Sequence, residues 1–357
     1  MPSMTISKLT DPTAHQKPRR NALLCVVAFV VFSFFAGWAN ASETNFPQAH
    51  DEFWLVSARD IPDCRTDAEC SDLKCFRKIN GQWCSTTFNQ LSTEHLSDPS
   101  KETVLHVHGM RTDFNDAKRQ CSTFYQNTFA NCNNRPPIRF VCWVWRSETK
   151  TPRPVWEFKT KSRRAVLLGR LFTKTLHCFG DRPPILIGYS LGAQLIASAI
   201  TDPAAAGLPS YRFAAIAPVL DCEFASSFRN PVCTQQTVVF ASRSDRATRF
   251  AAHICRKQGA PTFNQWAGSM NKPLGNVGFV DVTSYVGGKH SIDRYTSAPP
   301  VRACIIKMVR DNALLASNHM TVPREPTLII NEAPIMSADP IWSGPELQES
   351  VLVAPAE

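Results

Sequence analysis

The sequence lacks the patterns that bind nucleotides or metal ions. Its 357 residues include only 15 glycines, and none of them is spaced as a phosphate-binding loop. Its cysteines do not form the paired C-x-x-C spacing of zinc ligands. We therefore expect no cofactor and no metal ion. Internal repeats and long low-complexity runs are also absent, which excludes a repeat architecture.

The N-terminal 41 residues have the pattern of a secretory signal peptide. Arg19 and Arg20 precede an apolar run at 22–38, and an A-x-A cleavage site ends at Ala41. We expect cleavage there and an exported protein, periplasmic or secreted. The run approaches the roughly 20 residues that span a bilayer. An uncleaved anchor, with the domain outside the cytoplasm, is therefore the alternative.

The cysteine content also favours an oxidising compartment. Of thirteen cysteines, one lies in the leader, and the even number that remains is typical of disulfides. Four of them, Cys64, Cys70, Cys75 and Cys84, lie close together in the chain. This cluster predicts a looped, disulfide-stapled, Cys-rich insertion at about 60–97.

Charge and proline divide the chain further. The formal net charge is +9, but six acidic residues and a single arginine lie between 323 and 357. This stretch is also rich in proline, and we predict a largely irregular acidic tail. Residues 42–322 have the length of one domain.

The pattern changes from strand to helix around Ser190. Ile185–Ile187 is a short apolar run of the kind found in a strand buried on both faces. Apolar and small residues at helical spacing begin at Leu191. Between them lies Gly188-Tyr-Ser-Leu-Gly192, the G-x-S-x-G pattern. A serine in such a strained turn projects its hydroxyl from the end of its strand.

This strand, turn and helix resemble the nucleophile elbow of the α/β-hydrolase superfamily, and the resemblance covers about 53–320. It implies a mostly parallel central sheet with helices on both faces, and a catalytic Ser190. In that superfamily the acid follows the second strand after the elbow, and the histidine follows the third. Strands predicted at 212–219, 237–242 and 278–286 assign these roles to Asp245 and His290. Asp221, after the first of these strands, is the alternative acid.

The same resemblance implies an oxyanion hole. A predicted strand at about 103–107 leads into His108-Gly109-Met110, and the superfamily places a backbone N–H donor after this strand. By resemblance the two donors are the N–H groups of Met110 and Leu191. We expect His106 and His108 to lie on one face of the strand with hydrogen-bonded rings, and His108 to support the loop.

Two predicted helices flank these strands. Asp113 is a candidate N-cap for a helix that reaches about Ala130. Residues 150–164 contain six basic residues together with Trp156 and Phe158. This segment could bind an anionic envelope surface or nucleic acid. A solvated helix start is the favoured interpretation, so we expect no nucleic-acid partner.

Together these features predict an exported serine hydrolase that acts on a small acyl substrate, most simply a carboxylic ester. Amide, thioester or acyl-transfer chemistry would use the same residues. The alternative is a non-catalytic envelope-binding protein that keeps the α/β-hydrolase scaffold, because a fold does not by itself determine a function.

Overall fold

A nine-stranded sheet forms the centre of the computed structural model, which describes residues 47–62, 67–148, 154–220, 234–256 and 277–318. The strands are β1 Glu52–Ser57, β2 Lys74–Ile79, β3 Gln82–Thr86, β4 Glu102–Val107, β5 Ile138–Val144, β6 Ile185–Tyr189, β7 Tyr211–Ile216, β8 Thr234–Ala241 and β9 Val277–Asp281. Their order across the sheet is β3-β2-β1-β5-β4-β6-β7-β8-β9. Only the pairs β1–β2 and β2–β3 are antiparallel in this sheet.

Helices connect the parallel strands. They are α1 Phe88–Ser97, α2 Phe114–Tyr125, α3 Pro154–His177, α4 Leu191–Thr201, α5 Arg246–Arg256, α6 Thr283–Val286, α7 Ile292–Ser297 and α8 Pro299–Asn318. A π-helical turn, Gln126–Ala130, extends α2 close to the predicted end of that helix. Asp113 is its N-cap, as predicted, and accepts a hydrogen bond from the Asp116 N–H at 2.8 Å.

Both faces of the sheet are buried, which explains why its central strands are continuously apolar. Alternate residues of β1 belong to different core clusters: Trp54 and Val56 lie with α3 and α4, whereas Phe53 and Leu55 lie with α2, α7 and α8. The described residues therefore form the predicted α/β layers, with helices on both sides of a mostly parallel sheet.

The predicted Cys-rich loop is instead regular secondary structure. β2 and β3 form a hairpin whose turn has positive φ at Asn80 (50°) and Gly81 (80°), and α1 follows it. Cys70, Cys75 and Cys84 form no disulfide among the described residues, and Cys64 lies outside them. Cys75 is buried and Cys84 is exposed, so the two side chains face different surroundings.

The disulfide that the described residues do contain joins Cys121 of α2 to Cys142 of β5. It lies in the core rather than in the region of the cysteine cluster.

The strand predicted at 278–286 ends early. β9 stops at Asp281, whose carboxylate accepts a hydrogen bond from the Thr283 N–H at 2.9 Å, and α6 begins there. β7 similarly ends at Ile216 rather than at residue 219. The residue after β7, Ala217, has a positive φ of 45°, which ends the extended conformation there.

The basic segment begins a helix, but it is not wholly solvated. α3 contains the buried Phe158, Lys161 and Arg164, whereas Trp156 is exposed. The predicted leader (1–41), the apolar run 22–38 and the acidic tail (323–357) lie outside the described residues. Within the described ranges, no helix has the length and hydropathy needed to cross a bilayer.

Candidate active site

The predicted elbow is a sharp turn between β6 and α4. Ser190 has φ 55° and ψ −123°, a conformation that is strained for a residue with a side chain. Its N–H donates to the Ile216 carbonyl at 2.9 Å, which fixes the turn against β7. Gly192 lets the start of α4 pack closely on the end of β4, because a Cβ there would lie 2.3 Å from the Val107 carbonyl oxygen.

Ser190, His290 and Asp245 come together at the carboxyl ends of the parallel strands. The Ser190 Oγ lies 3.0 Å from the His290 Nε2, and the His290 Nδ1 lies 2.8 Å from the Asp245 Oδ2. Because Nδ1 faces a carboxylate, it carries the ring proton of the neutral imidazole. Nε2 is then free to accept the serine proton.

Asp245 is fully buried and held by several donors. Its Oδ1 accepts from the N–H groups of Ala247 and Thr248 at 2.9 and 3.2 Å, so it caps the start of α5. The Tyr295 hydroxyl donates to Oδ2 at 2.9 Å. Burial opposes ionisation of this carboxyl group, but these hydrogen bonds and His290 outweigh it. The pKa of Asp245 therefore lies below its ordinary value.

The loop that carries His290 is fastened to the loop that carries Asp245. The Ser242 hydroxyl donates to the Gly287 carbonyl at 2.6 Å, and the Arg246 N–H donates to the Gly288 carbonyl at 3.3 Å. Tyr189 stacks on the imidazole with ring centroids 5.2 Å apart. The ring of His290 is thus restrained on one face and at its Nδ1 edge.

The two predicted oxyanion donors flank the serine. Met110 and Leu191 line the same cleft as Ser190. Neither backbone N–H has a hydrogen-bond acceptor within the part of the chain that the structure describes. Gly109 allows the Met110 loop to approach, because a Cβ on it would lie 2.9 Å from the Ser190 Cβ. Both donors are therefore available to a negatively charged oxygen at this place.

His108 and Ser147 hold the Met110 loop. The Trp145 N–H donates to the His108 Nε2 at 3.2 Å, so Nδ1 carries the proton and donates to the Gly109 carbonyl at 2.8 Å. The Ser147 hydroxyl donates to the same carbonyl at 3.0 Å. Burial lowers the pKa of His108 to about 4, which keeps its ring neutral. His108 thus supports the loop as predicted.

His106 meets the expectation of a hydrogen-bonded ring at one nitrogen only: its Nδ1 lies 3.6 Å from the Cys121 Sγ. Its Nε2 has no hydrogen-bond partner among the described residues, and its ring packs against Phe124 with centroids 4.6 Å apart. Burial lowers its pKa to about 3. The ring fills an apolar layer that tolerates a neutral imidazole. His106, Cys121 and Cys142 bring ligand atoms within 4.8 Å, but both sulfurs belong to the disulfide and offer no thiolate.

The remaining carboxylates are placed differently. Asp221 lies outside the described residues, so the structure describes only Asp245 next to His290. Asp281 accepts a hydrogen bond from the Thr283 N–H at the start of α6 and pairs with Arg243 at 3.0 Å. Asp293 lines the cleft, where burial raises its pKa.

Sequence reasoning missed two supports of the site, Tyr295 and Ser147. Tyr295 lies just beyond His290 in the chain, and Ser147 follows the end of β5. The sequence offered one indication of their role: each lies near a predicted site residue, at the end of a strand or loop. Tyr189 was visible as the second residue of the elbow motif, but its stacking on His290 was not.

No protein-family model matches the sequence, and no curated protein matches it. Among solved structures, TT1662 from Thermus thermophilus is similar at 11% identity and a TM-score of 0.33, covering 60% of this chain and 89% of that one. A predicted CIB-like hydrolase from Thermoplasma acidophilum is similar at 13% identity and a TM-score of 0.34, covering 67% and 97%. The described residues form an α/β fold with a mostly parallel sheet, a sharp strand-to-helix turn at Ser190 and the chain order Ser190, Asp245, His290.

Proposed function

We propose that this protein is an exported serine hydrolase that cleaves an acyl bond, most simply a carboxylic ester. The observation that carries the proposal is the hydrogen-bonded series from the Ser190 Oγ through His290 to the Asp245 Oδ2, with distances of 3.0 and 2.8 Å. A serine hydroxyl is a weak nucleophile at neutral pH, and an adjacent base oriented by a carboxylate is what activates it.

The first half of the reaction forms an acyl-enzyme. The Ser190 Oγ attacks the carbonyl carbon while its proton passes to the His290 Nε2. The carbonyl oxygen becomes an oxyanion and accepts hydrogen bonds from the Met110 and Leu191 N–H groups. When the tetrahedral intermediate collapses, the ester bond breaks and the alcohol leaves with the proton from His290. Asp245 stabilises the imidazolium that exists between these steps.

The second half releases the acid. A water molecule gives a proton to the His290 Nε2 and attacks the acyl carbon. The second tetrahedral intermediate then collapses, and the Ser190 Oγ regains its proton. We propose an ester rather than an amide because an alcohol leaves more readily than an amine. Ester cleavage therefore needs no proton donor to the leaving group other than His290.

Export rests on separate observations. The leader pattern predicts it, and the Cys121–Cys142 disulfide supports an oxidising compartment. A separate observation concerns access to the site. The His290 side chain is 19% exposed, so a dissolved substrate can reach it.

Covalent labelling with a neutral fluorophosphonate tests the proposal, because this reagent reacts only with an activated serine. We expect labelling of the native protein and its loss in Ser190→Ala. Ser122 lines the same cleft, and the hydrogen bonds of His290 within the described residues go to Ser190 and Asp245, so Ser122→Ala is the matched control and should retain labelling. If peptide mapping of the labelled protein places the adduct on a residue other than Ser190, Ser190 is not the nucleophile. A folded protein that is not labelled would favour the alternative, a non-catalytic envelope-binding protein.

A further inference from the structure

The cleft above Ser190 has a strongly uneven charge. It encloses about 1430 Å³, and the described residues that line it include five basic side chains and one carboxylate: Lys78, Arg111, Lys118, Arg119, Arg246 and Asp293. They come from β2, the loop after β4, α2, α5 and α7, so no single charged helix explains the excess. A cleft lined by one sign of charge concentrates ligands of the opposite sign.

Two of these basic residues already have acidic partners. Arg111 lies 3.5 Å from the buried carboxylate of Glu157, and Arg119 lies 2.5 Å from the Asp116 carboxylate. Such pairs leave little net charge for a ligand. They also show that the cleft is not uniformly available to anions.

Lys118 and Arg246 differ, because neither has a carboxylate partner in the ranges that the structure describes. The Lys118 ammonium lies over the rings of Phe114 and Trp83, 4.4 and 5.8 Å from their centroids. These cation–π contacts orient the ammonium without neutralising it. Arg246 directly follows the triad residue Asp245, and its side chain is exposed in the same cleft.

Asp293, the carboxylate among the described lining residues, does little to offset this charge. Burial raises the pKa of Asp293, whereas the positive charge of Arg119 lowers it by less. The charged form of Asp293 is therefore disfavoured, and where it does form, Arg119 is its nearby cation. The positive potential at Lys118 and Arg246 is left for a ligand to satisfy.

The cleft also has apolar lining residues. Phe158, Leu191, Val219 and Phe250 line it together with Ser190. A substrate that fills the cleft therefore meets an apolar surface as well as the two unpaired cations. Such a lining suits an acyl compound that has an apolar part and an anionic group.

We propose that the substrate of this site is an acyl ester that carries an anionic group, a carboxylate or a phosphate, and that Lys118 and Arg246 determine this specificity. The proposal rests on the proposed serine hydrolase function and extends it to a substrate class. Lys118 and Arg246 bind the anionic group, and Ser190 attacks the ester carbonyl of the same molecule.

Three butyrate esters of para-substituted phenols would test it, with a carboxamide, a carboxylate or a phosphate on the ring. The measured quantity is kcat/KM for each anionic ester divided by that for the carboxamide ester. Each variant is compared with the native protein on the same substrates, so differences in intrinsic reactivity cancel. We expect this ratio to fall roughly three- to fivefold in Lys118→Gln and in Arg246→Gln, and about tenfold or more in the double variant.

Arg243→Gln is the matched control. Arg243 lies three positions before Arg246, is largely exposed, pairs with Asp281 and does not line the cleft. Its ratio should stay within about twofold of the native value. Lys118→Arg should restore most of the ratio, and raising the ionic strength should lower it in the native protein, because salt screens exposed charges.

The outcomes separate this inference from the function on which it rests. If the kcat/KM ratio of both anionic esters falls in the Lys118 and Arg246 variants, the two residues form a shared anion site. If the ratio falls for one ester alone, its group, carboxylate or phosphate, is the one recognised. If the native protein is labelled at Ser190 and hydrolyses the carboxamide ester but all variants keep the native ratio, the anion specificity is wrong and the hydrolase function stands. If Ser190 is not labelled by the neutral fluorophosphonate, both fall.

Discussion

The hydroxyl of Tyr295 donates to the Asp245 Oδ2 at 2.9 Å, and this is the same oxygen that faces the His290 Nδ1. Tyr295 is fully buried, and burial raises the pKa of its phenol, so it stays protonated as a donor. The carboxylate is thus fixed by the tyrosine on one side and by the N-terminal N–H groups of α5 on the other. This arrangement makes Tyr295 a positioning residue for the proposed triad.

Tyr295→Phe should lower kcat by roughly three- to tenfold and leave KM nearly unchanged. Removal of the hydroxyl deletes one hydrogen bond to a charged group, worth about 1.5–3 kcal/mol. Only the part of this energy that orients the carboxylate towards His290 affects kcat. Steady-state hydrolysis of a neutral ester measures the two constants separately. Because phenylalanine keeps the ring, the fold should persist.

Tyr211→Phe provides the matched control. Tyr211 is also buried, but its hydroxyl has no hydrogen-bond partner among the described residues. Loss of that hydroxyl should leave kcat unchanged and stability equal or slightly higher. If Tyr211→Phe and Tyr295→Phe had the same kcat, Tyr295 would have no positioning role.

Gly109→Ala should damage the site more than the fold. The added Cβ would lie 2.9 Å from the Ser190 Cβ and 3.0 Å from the Tyr189 Cδ1, so the Met110 loop must move away from the serine. Loss of one oxyanion donor costs on the order of 100-fold in kcat. We expect a loss of that order, measured by ester hydrolysis, with a change in melting temperature of only a few degrees.

Gly278→Ala is the corresponding control, because a Cβ at Gly278 would lie no closer than 3.9 Å to the Thr237 carbonyl oxygen. It should keep native activity. Native activity in Gly109→Ala would mean that the loop does not supply an oxyanion donor.

The local parts of the fold and site could be predicted from the sequence because they are short-range patterns. The elbow is a five-residue motif with a strand before it and a helix after it, and Asp113 is a cap three residues from its partner N–H. The chain order of strands, read through the superfamily resemblance, then led to His290 and Asp245. His290 lies within hydrogen-bonding distance of Ser190, and Asp245 lies within hydrogen-bonding distance of His290.

The parts that could not be predicted depend on contacts between distant segments. Tyr295 reaches a carboxylate 50 positions away, and nothing in its neighbours indicates that direction. The cysteine cluster suggested a stapled loop. The spacing of cysteines along the chain, however, does not tell which way each side chain faces, and the pairing depends on that. Asn80-Gly81 in the same segment is a hairpin signal, and it correctly describes what forms there.

Three buried histidines predict a loss of stability in mild acid. Burial lowers the pKa of His95 to about 4, of His106 to about 3 and of His108 to about 4. In the unfolded chain a histidine titrates near 6.5. Between these values the unfolded chain binds more protons than the folded protein, so acid favours unfolding. The free energy of unfolding should therefore fall as the pH drops from about 6.5 towards 4, by up to about 1.4 kcal/mol per pH unit for each histidine.

His106→Leu isolates one of these contributions. The Nε2 of His106 has no hydrogen-bond partner among the described residues, so an apolar side chain of similar size should cost little at pH 7. Urea unfolding at several pH values would measure the slope, and we expect it to be shallower in the variant by about 1 kcal/mol per pH unit between pH 6 and 4. An identical slope in His106→Leu and the native protein would mean that His106 already takes up its proton in the folded state, and that the apolar layer around Phe124 does not exclude charge.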